Sequence, residues 1–234
     1  MTAKEIQLLT YLEQYLTPER LSKIERISSA RTQHITLVLE DVYRDRNEGA
    51  IIRTCDCFGV QNLHMIDSRI IPKVTHAIAR GAEKWITQHR YGESEINSAD
   101  ATQQCLSNLR KKGYRIIATT PHKKGVSIEQ LSLEKPAAFV FGTEVRGISE
   151  RIIAEADKFV YLPMMGFSES YNVSVAAAVL LQHVTQRLKS SSIPWQLSEN
   201  QKNQLKLEWT KKSIKTIDSL LIDFEKKYAQ LNEG

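Results

Sequence analysis

Arg53, Asn47, Glu144, Ser170 and Asn172 are the residues of this 234-residue chain whose types could do chemistry together, and each sits where a strand hands over to a helix or within such a helix. The stretch Lys158 to Leu162 reads as a strand that runs into Pro163 and a polar loop, Met164-Met165-Gly166-Phe167-Ser168-Glu169-Ser170-Tyr171, before a long apolar helix opens at Asn172. Such a loop gathers hydrogen-bonding groups at a helix N-terminus, where backbone N–H groups lack partners, and polar ligands are often held there. Two more polar loops, Gly142-Thr143-Glu144-Val145-Arg146-Gly147 and Thr119-Thr120-Pro121, also follow apolar strands. In a parallel sheet, loops at the carboxyl ends of strands line the ligand crevice. Arg53 lies on a helix reading Asn47 to Phe58. By type it is either a solvated cation or a guanidinium fork for phosphate or ribose, with Asn47 and Gly49 allowing close approach. Asn172 reads as an N-cap that could also orient a ligand, and Glu144 as a carboxylate before a helix.

The common nucleotide signatures fail. Gly142-x-Glu144-x-x-Gly147 has Glu where a dinucleotide fingerprint needs its second Gly. There is no Walker A lysine motif, and Gly166-Phe167-Ser168-Glu169-Ser170 lacks the final Gly of a nucleophile elbow.

The elements that must position these residues alternate. Strands are expected at Ile35 to Leu39, Asn62 to Ile66, Tyr114 to Thr119, Ala137 to Phe141 and Phe159 to Leu162, with Ile86 to His89 extended. Helices are expected at Asn47 to Phe58, Ala99 to Lys112, Ile148 to Ala156 and Val173 to Lys189, with a short one at Val74 to Arg80. This rhythm with short apolar strands predicts an α/β fold with a parallel sheet covered on both faces. Before it, residues 4 to 16 form an amphipathic helix, and Thr17-Pro18-Glu19 restarts another that runs to about Ser28. After it, Ser190-Ser191-Ser192-Ile193-Pro194 is a connector. Ile214, Ile217, Leu221, Phe224, Tyr228 and Leu231 then mark a narrow apolar seam on one helix, to be covered by its own chain or by a partner. The expected division is an N-terminal helical extension (1–33), a catalytic domain (34–189), and a connector with a C-terminal helix (190–234).

A hydrophobic fraction of 41% and a charged fraction of 25% suit a globular chain. No run of apolar residues is long enough for a membrane span, and no secretory segment opens the sequence, so a cytoplasmic home is expected. The net charge of +5 favours a nucleic-acid partner only mildly. Cys55, Cys57 and Cys105 do not make a disulfide framework; Cys55 and Cys57 read as core packing. No His pairs with Cys at zinc spacing, so no metal is expected.

Three segments in order resemble the signature motifs of the SPOUT RNA methyltransferases, in their TrmH branch: Asn47-Glu48-Gly49-Ala50-Ile51-Ile52-Arg53-Thr54, Phe141 to Gly147, and Leu162 to Ser174. The resemblance covers roughly residues 34 to 189. It implies a C-terminal trefoil knot, which chain-path rules alone would have rejected. It implies S-adenosylmethionine as cofactor, lined by Thr119, Gly142, Leu162, Met164 and Tyr171, and a homodimer. Tyr171 departs from the Leu common in the family. The implied reaction is methylation of a ribose 2′-hydroxyl, with Arg53, Asn47, Glu144, Ser170 and Asn172 near the reacting groups. Arg53 is the family's candidate for activating the hydroxyl. A guanidinium base is awkward, because its pKa lies above about 12, and stabilisation of the alkoxide by a cationic Arg53 is the open alternative.

The resemblance implies the D-loop guanosine at tRNA position 18 as the target, and the short helical additions on either side of the domain support tRNA over ribosomal RNA. Arg20, Lys23, Arg26 and Arg31, with Arg187 and Lys189 at the other end, are either solvated or track the RNA backbone. A ribosomal-RNA 2′-O-methyltransferase is the alternative within the class. A non-catalytic RNA-binding protein of the same fold is the alternative outside it.

Overall fold

The middle strands of the central sheet are mostly apolar, Ile35-Thr36-Leu37-Val38-Leu39 and Ala137-Ala138-Phe139-Val140-Phe141 above all, which suits a sheet buried on both faces. In a computed structural model that describes residues 1–42, 45–67, 79–92, 98–121, 125–143 and 146–232 (backbone alone at 45, 98–100, 231 and 232), every residue of β1 (Ile35–Glu40), β2 (Asn62–Ile66) and β6 (Ala137–Phe141) is buried. With β3 (Thr87–Tyr91), β4 (Arg115–Thr119), β5 (Val126–Ser127) and β7 (Lys158–Tyr161) they make a seven-stranded sheet in the order β3-β2-β1-β6-β4-β7-β5. Every pairing is parallel.

On one face, α3 (Asp45–Phe58) and α6 (Val173–Lys189) supply Ile51, Ile52, Cys55, Ala177, Leu180, Leu181 and Val184 to a core shared with Leu37, Leu63, Phe139 and Val160. On the other, Ala101, Cys105, Leu106 and Leu109 of α4 (Ser98–Lys111) and Ile152 of α5 (Glu150–Glu155) cover Val38, Ile116 and Val140. The expected α/β parallel sheet with helices on both faces is present. Gly59 ends α3 at φ +78°, a left-handed conformation that glycine adopts without steric cost. The expected helix at 74–80 lies mostly outside the described residues; Ala79 and Arg80 form a turn leading into a short 3₁₀ segment, Ala82–Lys84.

The chain divides into two compact units, Thr32–Trp195 and the paired ends Met1–Arg31 with Gln196–Gly234. In the terminal unit, Thr2 and Glu5 form a capping box for α1 (Ala3–Glu13), which stops three residues before the expected end. Thr17 caps α2 (Pro18–Ser29) as expected. The C-terminal seam is interrupted: Ile214 is extended, at φ −101° and ψ 121°, and separates α7 (Glu199–Ser213) from α8 (Ile217–Asn232). Its apolar residues are covered by the chain's own first helix, since Phe224 packs with Leu8, Leu9, Leu12 and Leu207. Glu25 of α2 accepts from Lys202 at 2.7 Å and Lys206 at 2.8 Å, tying α2 to α7. Arg31 is a correction to the sequence reading. It is buried, with its guanidinium 5.1 Å from the centre of the buried Trp209 ring, and so is not part of a basic surface.

Candidate functional site

Three neighbouring strands, β6, β4 and β7, release their chains on one edge of the sheet. Register places Ala118 beside Val140 and Thr119 beside Val160, so Thr119, Gly142 and Leu162 end at nearly one level. Strand spacing of about 4.8 Å puts the three loop bases within about 10 Å of each other. The sequence-predicted lining residues Thr119, Gly142, Leu162 and Met164 are half-buried there, and Tyr171 is exposed with its hydroxyl donating to the Pro163 carbonyl at 3.3 Å. Thr119 Oγ1 donates to the Val140 carbonyl at 2.8 Å, tying the first loop to the second.

The second loop closes on itself. Thr143 N–H donates to Gly147 O at 3.1 Å and Gly147 N–H to Thr143 O at 2.9 Å. A Cβ on Gly142 would lie 2.1 Å from the Gly147 oxygen and 2.4 Å from the Ile148 nitrogen, so only glycine fits. Glu144 lies outside the described residues. Beyond the loop, Ser149 caps α5 and donates both its hydroxyl (2.6 Å) and its N–H (2.7 Å) to Glu40 at the end of β1. Burial pushes the Glu40 carboxyl above its ordinary range, against the two Ser149 bonds and with help from Asp41.

The first and third motifs meet. Asn172 Oδ1 accepts from Ser174 N–H at 2.9 Å and Val175 N–H at 3.3 Å, which makes Asn172 the N-cap of α6. Its Nδ2 donates to Asn47 Oδ1 at 3.2 Å, joining the starts of α6 and α3. Arg53 lies six residues further along α3, about 9 Å down the axis at 1.5 Å per residue. Its side chain is exposed and makes no hydrogen bond or ion pair with a described residue. With Ala50, Thr54, Cys57 and Phe58 of α3 and Ala178 of α6 it lines an open hollow of about 430 Å³. Cys57 therefore faces this hollow, not the core, while Cys55 is buried as expected. Ser170 is exposed in the third loop.

Of the residues read as RNA contacts, Arg20, Lys23 and Arg26 are exposed on α2. Arg187 has a different employment: its guanidinium donates to the carbonyls of Ile128 and Leu131, both at 2.7 Å.

Sequence reasoning missed an ionic cluster under the start of α3. Arg90 of β3 bonds Glu48 directly and Asp67 at 3.1 Å. Burial works against the Arg90 charge, but the two carboxylates outweigh it and hold the guanidinium more firmly protonated than usual. A signal was present: Glu48 begins the apolar stripe Glu48, Ile51, Ile52, Cys55, where a carboxylate has to find a buried cation.

Comparison with known proteins places these features. Residues 34–182 match the model of the SpoU rRNA Methylase family. The chain is 32% identical to the tRNA (guanosine(18)-2′-O)-methyltransferase of Borreliella burgdorferi, over 87% of this chain and 90% of that one. Among solved structures, the A. aeolicus TrmH/SpoU tRNA modifying enzyme superposes with a TM-score of 0.71 at 26% identity, covering 84% of this chain and 97% of that one. The SpoU methyltransferase AviRb from Streptomyces viridochromogenes, solved with AdoMet, shares the fold at a TM-score of 0.57 and 19% identity, over 71% of this chain and 62% of that one.

Proposed function

The chain belongs to the SpoU rRNA methylase family, and from that premise we propose that it methylates the ribose 2′-hydroxyl of guanosine 18 in the tRNA D-loop. The observation that carries the reading is the Asn47–Asn172 hydrogen bond. It brings the helix bearing Arg53 to the loop bearing Ser170, which is the third of the loops suited to the methyl donor. The guanosine-18 substrate is supported by the activity of the relative that aligns along nearly the whole chain.

S-adenosylmethionine is the cofactor, and when bound it supplies a methyl carbon activated by a sulfonium. The residues present suit it. Half-buried Leu162 and Met164 offer apolar walls, and Thr119, Gly142 and the main chain after β4, β6 and β7 offer polar groups at one level. Exposed Tyr171 closes the third loop through Pro163. A ribose hydroxyl is a poor nucleophile until its proton leaves. Arg53, a cation on an open hollow, stabilises the developing alkoxide while the proton passes to solvent water. Asn47, Ser170 and Asn172 orient the ribose, and Glu144 is assigned with them from its motif. Arg20, Lys23 and Arg26 contact the RNA backbone.

Three further assignments belong to this reading. The chain is knotted. In support, β7 lies between β4 and β5, although those two strands are joined by a short link whose last residue, Gly125, is pressed so close to β7 that a Cβ would sit 2.3 Å from Phe159 O. It acts as a homodimer. In support, Met165, Phe167, Tyr171 and Val175 leave large apolar side chains exposed around the third loop and the first turn of α6. It works in the cytoplasm. No described helix is long and apolar enough to cross a membrane. The division into an extension (1–33), a catalytic domain (34–189) and a C-terminal segment (190–234) is retained as a functional one.

Tritium transfer from labelled S-adenosylmethionine to an unmodified tRNA transcript tests the reaction. The label is expected on guanosine 18, and to fall about 100-fold with Arg53→Ala. Label only on ribosomal RNA would overturn the substrate, and no transfer to either RNA would favour a binding protein.

A further inference from the structure

Methyl transfer on this site depends on where α3 holds Asn47 and Arg53, and the ionic cluster beneath α3 is built to fix that. We propose that Arg90 is a positioning residue: by bridging Glu48 and Asp67 it locks the first turns of α3 to the ends of β2 and β3, and so sets Asn47 and Arg53 for the reacting ribose. This rests on the methyltransferase reading above.

The cluster is part of the interior. The side chains of Glu48, Asp67 and Arg90 are 5%, 12% and 23% exposed. Carboxylates so far out of water are tolerated only when paired, and removing one partner leaves an uncompensated charge. Arg90 pairs with Met65 in the sheet register, so its backbone is fixed by the β2–β3 ladder. Its strand neighbours face the other way: the His89 ring stacks on His64 at 4.4 Å, and Tyr91 packs in the core under α4. Arg90 is thus a rigid post, and Glu48 is the point at which α3 is fastened to it. Asn47, the residue just before Glu48, is bonded to the α6 cap. A continuous series of contacts therefore runs from the sheet through Arg90, Glu48, Asn47 and Asn172 to α6. The bonds of Arg90 thus bear most directly on Asn47 and Arg53, the residues assigned to the ribose, and the expected effect is on kcat.

The test uses the full chain and three readouts: kcat with tRNA transcript, the Kd of S-adenosylmethionine by calorimetry, and the melting temperature. Arg90→Met is expected to lower kcat about 30-fold or more, because misplacement of a catalytic group by about 1 Å costs on the order of 100-fold. The Kd is expected to stay within about 2-fold. Adding Glu48→Gln, which removes one stranded carboxylate, is expected to recover part of kcat. In an Arg53→Ala background, Arg90→Met is expected to add no more than about 2-fold, because both changes act through one group. Arg90→Lys presents one point charge to two carboxylates and is expected to lower kcat about 5-fold; it carries the test if Arg90→Met does not fold. Unchanged kcat in a folded Arg90 variant, loss of methyl-donor affinity in place of kcat, or full multiplication with Arg53→Ala would each overturn the proposal. A wild-type chain with no transferase activity would instead overturn the parent reading, and this one with it.

Discussion

Replacing Gly142 by alanine tests whether the second loop is a shaped part of the methyl-donor site. The new Cβ would meet Gly147 O at 2.1 Å, Gly147 C at 2.2 Å and Ile148 N at 2.4 Å. All three are main-chain atoms, so no flexible side chain can swing aside. Normal carbon contacts require the two arms of the loop to part by about 1 Å or more. That movement breaks the reciprocal Thr143–Gly147 bonds of 3.1 and 2.9 Å. At about 1 kcal/mol for each bond, the cost of restoring the bound loop shape is about 2 kcal/mol. This corresponds to a Kd for S-adenosylmethionine about 25-fold weaker, at 1.4 kcal/mol per factor of ten. Gly166 supplies the control within the same edge, since a Cβ there meets nothing nearer than Ser168 N at 3.9 Å. Gly166→Ala is expected to change the Kd by less than about 2-fold. Calorimetric titration of both variants decides the matter. Equal affinities for Gly142→Ala and wild type, or an equal loss at Gly166, would refute the reasoning.

Acid should loosen the terminal unit through Glu25, whose pKa is held down to about 2 by its hydrogen bonds to Lys202 and Lys206. A depressed carboxylate contributes stability above its ordinary pKa and loses it as pH falls through the folded value. The wild-type advantage over Glu25→Gln should therefore be full above about pH 4.5 and gone near pH 2. The carboxylate is half exposed, which limits that advantage to about 1 kcal/mol; melting curves across that window that stay parallel would contradict the assignment. Thiol labelling of the native protein should modify Cys57 first, because it is exposed, whereas Cys105 is buried and its thiol is pushed up to about 12 by that burial. Mass spectrometry showing Cys105 labelled at a comparable rate would contradict the packing of α4.

Much of the catalytic half was legible because its signals are local. Asn62 to Ile66, Ala137 to Phe141 and Val173 to Lys189 occupy the predicted residues, since short mostly apolar runs and an Asn-capped apolar helix are read within a few positions. α7 was missed for a physical reason. Its buried residues Leu205, Leu207 and Trp209 do not repeat at three-and-four spacing, because the helix is covered from more than one side. The legible clue was its capping box, Ser198 with Gln201. The break at Ile214 was invisible, since that residue stays packed in the same apolar cluster after the helix ends. Arg31 and Arg187 show the limit for charges. Composition treats every arginine as a surface cation, yet one lies against Trp209 and the other donates to two carbonyls. The Glu48–Arg90–Asp67 cluster joins positions far apart in the chain, and nothing local in Arg90 or Asp67 announces it.

The pairing of the two chain ends into one unit has a consequence for synthesis. Helices α1 and α2 leave the ribosome first, yet Leu207 and Phe224, which cover Leu8, Leu9 and Leu12, are made only after the whole Thr32–Trp195 unit. At about 5–20 residues per second, the first helices wait on the order of 10–30 s with their leucines bare. Lys4, Glu5 and Glu13 flank those leucines, and charges beside an exposed apolar segment oppose its aggregation. Contacts between residues so far apart in sequence form slowly, so the terminal unit is expected to order after the sheet of the Thr32–Trp195 unit.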